Sequence, residues 1–203
     1  MPQALQASLW DGVDPPALGP LVPDRAHLDA TAWVDVLPGW LTGADDLYQQ
    51  LADEVPWRAE RRQMYDSVVD VPRLLSFYRA GAALPHPVLA EAKQRLSAHY
   101  GEEFTTAGFC FYRDGGDSVA WHGDDKGRGS HTDTHVAILS LGSPRPLLLR
   151  PRGGGPTTRY PLGHGDLLVM GGACQRTWEH AIPKTARPVG GRISIQFRPH
   201  DVL

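Results

Sequence analysis

The sequence predicts a β-rich α+β fold, with two helices in the first half and a sandwich or jelly roll of short strands after them. Three observations lead there. Apolar residues recur at helical spacing twice before residue 101. From residue 104 onward the helical period disappears and short β-like runs replace it, at 107–113, 118–122, 134–141, 145–150, 157–162, 166–170 and 192–198. Gly, Pro and Asp separate those runs, as frequent turns in an all-β core require.

Taken in order, residues 1–30 are rich in Pro, Asp and Ala, show no period, and read as an irregular arm. Residues 31–203 read as one domain, which suits a chain of 203 residues. Thr31 to Leu37 reads as a strand leading into a Pro38-Gly39 turn. Thr42 is placed to cap a helix over about 44–55, with Leu47, Leu51 and Val55 on one face. A second helix runs from Pro85 to Tyr100, with Leu89, Ala92, Leu96 and Tyr100 at helical spacing, and Gly101 stops it. Gly153-Gly154-Gly155 reads as a hairpin loop, because no Lys-Ser/Thr and helix follow it as a phosphate cradle needs.

Composition narrows the classes. Hydrophobic residues make up 41%, so the chain is neither disordered nor membrane-like. No run approaches the roughly 20 apolar residues of a membrane span, and Met1 to Trp10 has no signal-peptide pattern. Cys110 and Cys174 make no disulfide framework, so a reducing cytoplasm is the expected compartment. Net charge is −3, split as −5 over residues 1–99 and +2 over 100–203. The later half can present a mildly basic face.

The chemistry begins at Trp121-His122-Gly123-Asp124-Asp125. At a strand end, residues two apart point to one side, so His122 and Asp124 can share a cation. His180 follows far enough along for a return strand to bring it across. Two His and one carboxylate form the facial triad of non-haem Fe(II) oxygenases, whereas Zn favours tetrahedral sets, often with Cys. A bare His-x-Asp is also a common solvated turn. A second one, His131-Thr132-Asp133 with His135 behind it, lies in a Gly/Arg/Ser/Thr stretch and reads as loop, while the first follows a strand-like run. His27, His86, His99, His164 and His200 have no carboxylate at useful spacing and read as surface or helix-end residues.

Residues 192–198 alternate strictly: Arg192, Ser194, Gln196 and Arg198 on one side, Ile193, Ile195 and Phe197 on the other. The polar side faces either water or a pocket. A pocket would suit a dicarboxylate held at one end by a metal, because an arginine fork binds the far carboxylate bidentately and never loses its charge. Cys110 and Tyr112 share one side of another strand, where Tyr112 is either a hydroxyl donor to that carboxylate or a core aromatic.

Phe111-Tyr112-Arg113-Asp114-Gly115, Trp121 to Asp124, Leu139-Ser140-Leu141-Gly142, Gly165 to Met170, Trp178-Glu179-His180-Ala181-Ile182-Pro183 and Arg192 to Arg198 together resemble the AlkB-type dioxygenases, in the right order. Met64-Tyr65 and Val71-Pro72-Arg73-Leu74 resemble that family's nucleotide-recognition lid, at about 58–80, and the resemblance spans roughly 31–199. It implies a double-stranded β-helix with helices outside, and Fe(II) held by His122, Asp124 and His180. It places Arg192 on the distal carboxylate of 2-oxoglutarate, Tyr112 nearby, and Arg198 at the cosubstrate as well. Many members carry Asn where Cys110 and Ser194 stand, and both Asn would touch the cosubstrate.

By the same resemblance, iron, 2-oxoglutarate and O2 oxidise an N-alkyl group on a nucleic-acid base, and the alkyl leaves as an aldehyde. A base in a duplex must be flipped out, or the substrate is single-stranded. Met64, Tyr65 and Tyr78 are candidates for stacking on that base, and Arg73 and Asp125 for contacting the nucleotide. Arg145, Arg150, Arg152 and Arg159 read mostly as a solvated face, with phosphate contacts as the alternative. The expected partner is alkylated single- or double-stranded nucleic acid, bound by a monomer without a membrane. Three competing readings use the same residues: a dioxygenase for a protein side chain or small metabolite, a binding module without turnover, and a Zn hydrolase.

Overall fold

A computed structural model describes residues 15–202 apart from 65 and 66, and over 62–70 the backbone alone. The N-terminal stretch, predicted as irregular, contributes β1 (Ala17–Leu18) and β2 (Asp24–His27). β2 pairs antiparallel with β3 (Ala32–Leu37). Asp29 builds the turn between them, its carboxylate accepting from the Thr31 and Ala32 amides at 2.7 and 2.8 Å.

β4 (Leu41–Thr42) pairs with β1. α1 (Asp45–Glu54) follows, but Thr42 does not cap it. Thr42 lies in β4 and its hydroxyl donates to the Ala17 carbonyl at 3.3 Å. Ala44 takes the cap position, and Asp45 and Asp46 in the first turn complement the helix dipole instead. β5 (Arg58–Met64) and β6 (Ser67–Tyr78) form the long hairpin at the predicted lid.

α2 (Pro87–Tyr100) ends as predicted, with Gly101 in the left-handed region at φ 65°, but it starts at Pro87, two residues after the predicted Pro85. His86 is its N-cap, with Nδ1 accepting from the Val88 amide at 3.1 Å. The remaining strands are β7 (Phe104–Tyr112), β8 (Val119–His122), β9 (Val136–Gly142), β10 (Arg145–Pro151), β11 (Thr158–Leu162) and β12 (Leu167–Gly172). The short α3 (Cys174–Thr177), β13 (Trp178–Ile182) and β14 (Arg192–Pro199) complete the chain. The three glycines at 153–155 connect β10 to β11, all at positive φ.

The strands form a jelly roll of two facing antiparallel sheets. The larger runs β2-β3-β12-β9-β14-β7-β6-β5 and the smaller β11-β10-β13-β8. Alternation along each central strand supplies two cores. Phe109, Leu139, Ile193, Ile195 and Phe197 pack against α1 and α2 through Leu47, Leu51, Leu89 and Leu96. Ile138, Leu147, Leu149, Leu168, Met170 and Ile182 fill the space between the sheets.

Two predicted surface features are placed differently. Arg145 is 2% exposed, and its guanidinium donates to the carbonyls of Asp114, Asp117 and Pro183 at 2.8, 2.9 and 2.6 Å. Loop carbonyls converging on one cation take it out of water. His131 and Asp133 are exposed, as a loop reading expects, but His135 is half-buried. Its Nδ1 donates to Glu102 at 2.6 Å and its ring centroid lies 5.0 Å from that of Tyr100. Among the described residues, no helix is long and apolar enough to cross a membrane.

Candidate metal and cosubstrate site

β8 and β13 are neighbours in the smaller sheet, and His122 and His180 are paired residues across them. Paired residues on antiparallel strands project to the same face. Their rings meet at a centroid distance of 4.2 Å, and one ligand atom from each of His122, Asp124 and His180 lies within 4.8 Å of the others. His122 Nδ1 lies 2.8 Å from the Ala120 carbonyl oxygen. A carbonyl only accepts, so Nδ1 carries a proton, which leaves Nε2 as the nitrogen that can ligate a metal.

Asp124 is held from three sides. Its amide donates to Gln175 Oε1 at 2.9 Å, from α3. Its Oδ2 accepts from Arg198 Nε at 2.7 Å, while Oδ1 faces His122 Nε2 at 4.0 Å. Gly123 permits the turn, since a Cβ there would stand 2.5 Å from the Gln175 carbonyl oxygen. Burial opposes a charged carboxylate at Asp124, but Arg198, His180 and His122 overcome it and hold the group well below the usual carboxylate range. Burial, aided by His122, pushes the His180 imidazole down to about 3 against the pull of Asp124, so it is neutral and available as a ligand. Two His and one ionised carboxylate are a donor set for a divalent cation with open positions.

The predicted alternation of 192–198 places Arg192, Ser194, Gln196 and Arg198 on the inter-sheet side, all lining the cavity that also holds His122 and His180. On the adjacent β7, Cys110 and Tyr112 line the same cavity, paired with Ser194 and Arg192. Arg192 is 1% exposed; its Nε donates to Ser140 Oγ at 2.9 Å. Its Nη1 is buried and has no partner among the described residues. A buried guanidinium N–H without an acceptor is costly unless an anionic ligand completes it. Burial drives the Tyr112 phenol above its ordinary value, with Arg192 opposing, so Tyr112 is a neutral O–H group in the same wall. The donor set and the orphaned Nη1 both fit a metal with a chelating dicarboxylate.

The lid residues divide by strand parity. β6 pairs with β7 so that Tyr78 faces Ala107 and Phe77 faces Gly108. Tyr78 thus lies on the helix side, its ring 5.0 Å from that of Phe109, and packs there instead of lining the cavity. Phe77 shares the cavity side and is 49% exposed. Arg73 lines the cavity and donates Nη1 to the Ser118 carbonyl at 3.0 Å. Asp125 points elsewhere, pairing with Arg152 at 2.9 Å. Tyr65 and the side chain of Met64 lie outside the described residues.

Sequence reasoning passed over Gln175 at Asp124, Gln196 in the cavity wall and the exposed Phe77 on the cavity side of β6. Gln196 stood in the alternation and Phe77 beside the chosen Tyr78. Gln175 carried no local signal, since it reaches Asp124 from 51 positions away. A second, larger hollow beside α2, edged by Ala90, Lys93 and Glu103, brings no metal-ligand set together among the described residues.

Residues 34–198 match the pattern described as the 2OG-Fe(II) oxygenase superfamily. Alpha-ketoglutarate-dependent dioxygenase alkB homolog 3 of Bos taurus is 32% identical over 190 residues, covering 81% of this chain and 65% of that protein. This chain therefore spans just under two thirds of that relative. DNA oxidative demethylase ALKBH2 of Homo sapiens is 28% identical over 178 residues, covering 76% of this chain and 68% of that one. Among solved structures, OsALKBH1 superposes with a TM-score of 0.60 at 16% identity, over 87% of this chain and all of that one, which shows a shared fold.

Proposed function

The chain belongs to the 2OG-Fe(II) oxygenase superfamily, and from that premise we propose that it is an Fe(II)/2-oxoglutarate-dependent dioxygenase that removes alkyl groups oxidatively from bases of DNA or RNA. The observation that carries this reading is one cavity lined by His122, His180 and Arg192, with Asp124 in ligand reach of both histidines and Arg192 Nη1 orphaned among the described residues. The bound metal, with 2-oxoglutarate and O2, supplies the oxidising equivalent for the N-alkyl group, yielding succinate, CO2 and an aldehyde.

The chain's own residues bind and orient. His122, Asp124 and His180 hold the metal, and Arg198 on Asp124 Oδ2 leaves Oδ1 free to ligate. Arg192 receives the distal carboxylate, with Tyr112 and Ser194 as hydroxyl neighbours. Val119, Ile138, Leu147 and Ile182 close the apolar side of the cavity and keep water from the buried charges.

For the substrate, Phe77 is the aromatic platform on which an extruded base stacks. Large exposed apolar side chains are scarce here: among the described residues, Phe77 and Val22 are the two. Arg73 contacts the nucleotide from the same side. The names of the two relatives support alkylated nucleic acid as substrate. The free thiols of Cys110 and Cys174 suit the cytoplasm, and the unit of action is the monomer.

The test is incubation of the Fe(II)-loaded protein with 2-oxoglutarate, O2 and single-stranded DNA carrying 1-methyladenine or 3-methylcytosine. Formaldehyde should appear with succinate, in step with methyl loss. Succinate formed only with a protein or metabolite substrate, and no methyl loss, would refute the nucleic-acid reading. No succinate under any condition would refute the enzyme reading.

A further inference from the structure

Gln196 is 8% exposed and reaches across the cavity wall between Ser194 and Cys110. Its amide has one end 3.0 Å from the Ser194 carbonyl oxygen. A backbone carbonyl only accepts, so that end is the NH2 group. The same nitrogen lies 2.6 Å from Ser194 Oγ, so the serine oxygen accepts there too. The hydroxyl's own hydrogen is then left over, and no acceptor takes it among the described residues. At the other end, Gln196 Oε1 lies 3.6 Å from Cys110 Sγ. An amide oxygen only accepts, so the thiol spends its single hydrogen on Gln196.

We infer that Gln196 is a positioning residue that sets the polarity of the cosubstrate wall, turning the Ser194 hydroxyl to donate into the cavity and the Cys110 thiol to donate away from it. The inference rests on the cosubstrate reading above. Its ligand class is an α-keto dicarboxylate. Along β14 the wall then runs from Arg192 through the Ser194 hydroxyl donor to Arg198, and that hydroxyl supplies a hydrogen bond to an anionic oxygen. Gly108 is a second observation on the same device. A Cβ there would stand 3.2 Å from Gln196 Oε1 and 2.9 Å from Arg198 Nη1, so glycine leaves the amide and the guanidinium their room. At the two positions where many AlkB-type proteins carry an amide, this chain has Ser and Cys, and a single longer amide reaches both.

The test is anaerobic calorimetric titration of 2-oxoglutarate into the Mn(II)-loaded protein, with Mn(II) affinity and apo melting temperature measured alongside. Ser194→Ala should weaken 2-oxoglutarate about tenfold, the loss of one hydrogen bond to a charged group. Cys110→Ala should weaken it clearly less. Gln196→Met should approach the Ser194→Ala value, and adding Ser194→Ala to it should cost little more, because both changes remove one donor. Multiplying losses in the double variant, or a larger loss for Cys110→Ala than for Ser194→Ala, would overturn the inference. The serine and cysteine comparison decides alone if Gln196→Met does not fold. Wild-type protein that binds Mn(II) but no 2-oxoglutarate would instead overturn the cosubstrate reading, and the inference with it.

Discussion

Replacing Arg192 with Met separates binding from folding, because the two should move in opposite directions. Among the described residues the guanidinium, 1% exposed, donates through Nε to Ser140 and leaves Nη1 buried without a partner. A fork on a carboxylate makes two charge-assisted bonds, each about 1.5–3 kcal/mol. Losing both costs about 3–6 kcal/mol, or roughly a hundred- to twenty-thousandfold in the Kd for 2-oxoglutarate. Without cosubstrate the account is different. Methionine fills much of the same volume and removes a buried cation with no counterion among the described residues, so the fold is relieved of the desolvation cost of that charge. Freeing Ser140 Oγ of its donor offsets about 1 kcal/mol of that gain. The apo melting temperature should therefore hold or rise, while the thermal shift produced by 2-oxoglutarate in the Mn(II) protein disappears. Anaerobic calorimetry and differential scanning fluorimetry read the two quantities. A Kd within threefold of wild type, or an apo melting temperature lower by more than about 6 °C, would refute the assignment of Arg192 as an orphaned anion receptor.

Three further outcomes are expected. Gln175→Ala removes the acceptor for the Asp124 amide and should lower Mn(II) affinity about 10- to 100-fold, as read by equilibrium titration; unchanged affinity would show that the loop holds itself. Phe77→Ala should raise KM for a methylated oligonucleotide about 5- to 100-fold, the loss of one stacked base, with a smaller change in kcat. Steady-state formaldehyde release measures both, and an unaltered KM removes Phe77 from the substrate site. Asp29, bonded first by the Trp178 indole and then by the Thr31 amide, has its carboxyl lowered to about 2. A depressed carboxylate stabilises the fold fully above its unfolded value of about 3.9 and loses that contribution as pH falls through the folded value. Because Asp29 is exposed, solvent screening reduces its worth to the order of 1 kcal/mol. Urea melts of wild type and Asp29→Ala should differ by about that much at pH 6 and converge toward pH 2.5; a constant gap would contradict the linkage.

Much of this molecule is written in short-range pattern. The alternation from Arg192 to Arg198 located a strand, its core face and its polar face, because side chains on a strand repeat every two residues whatever the strand pairs with. The helix ending at Gly101 was legible for the same kind of reason, since period and a left-handed stop are both local. His122 and Asp124 were legible as a pair, His180 as a third ligand on a return strand and Arg192 as an arginine fork on the strand after it, and the resemblance implied the same four residues.

What the chain could not state locally depends on register and on contacts between distant segments. Tyr78 and Phe77 are adjacent in sequence and equally aromatic. Only the pairing of β6 with β7 decides that Phe77 takes the cavity side of the sheet and Tyr78 the helix side, because a shift of one residue exchanges the faces. Thr42 looked like a cap until β4 claimed it for pairing with β1. Arg145 looked solvated until three loop carbonyls converged on it. The sequence by itself determined the strand and helix periods, the reactive residue types and their order. Tertiary structure alone decided which polar groups meet across the cavity, because hydrogen bonds such as Gln175 to Asp124 are set by distance in space, on which separation along the chain is silent.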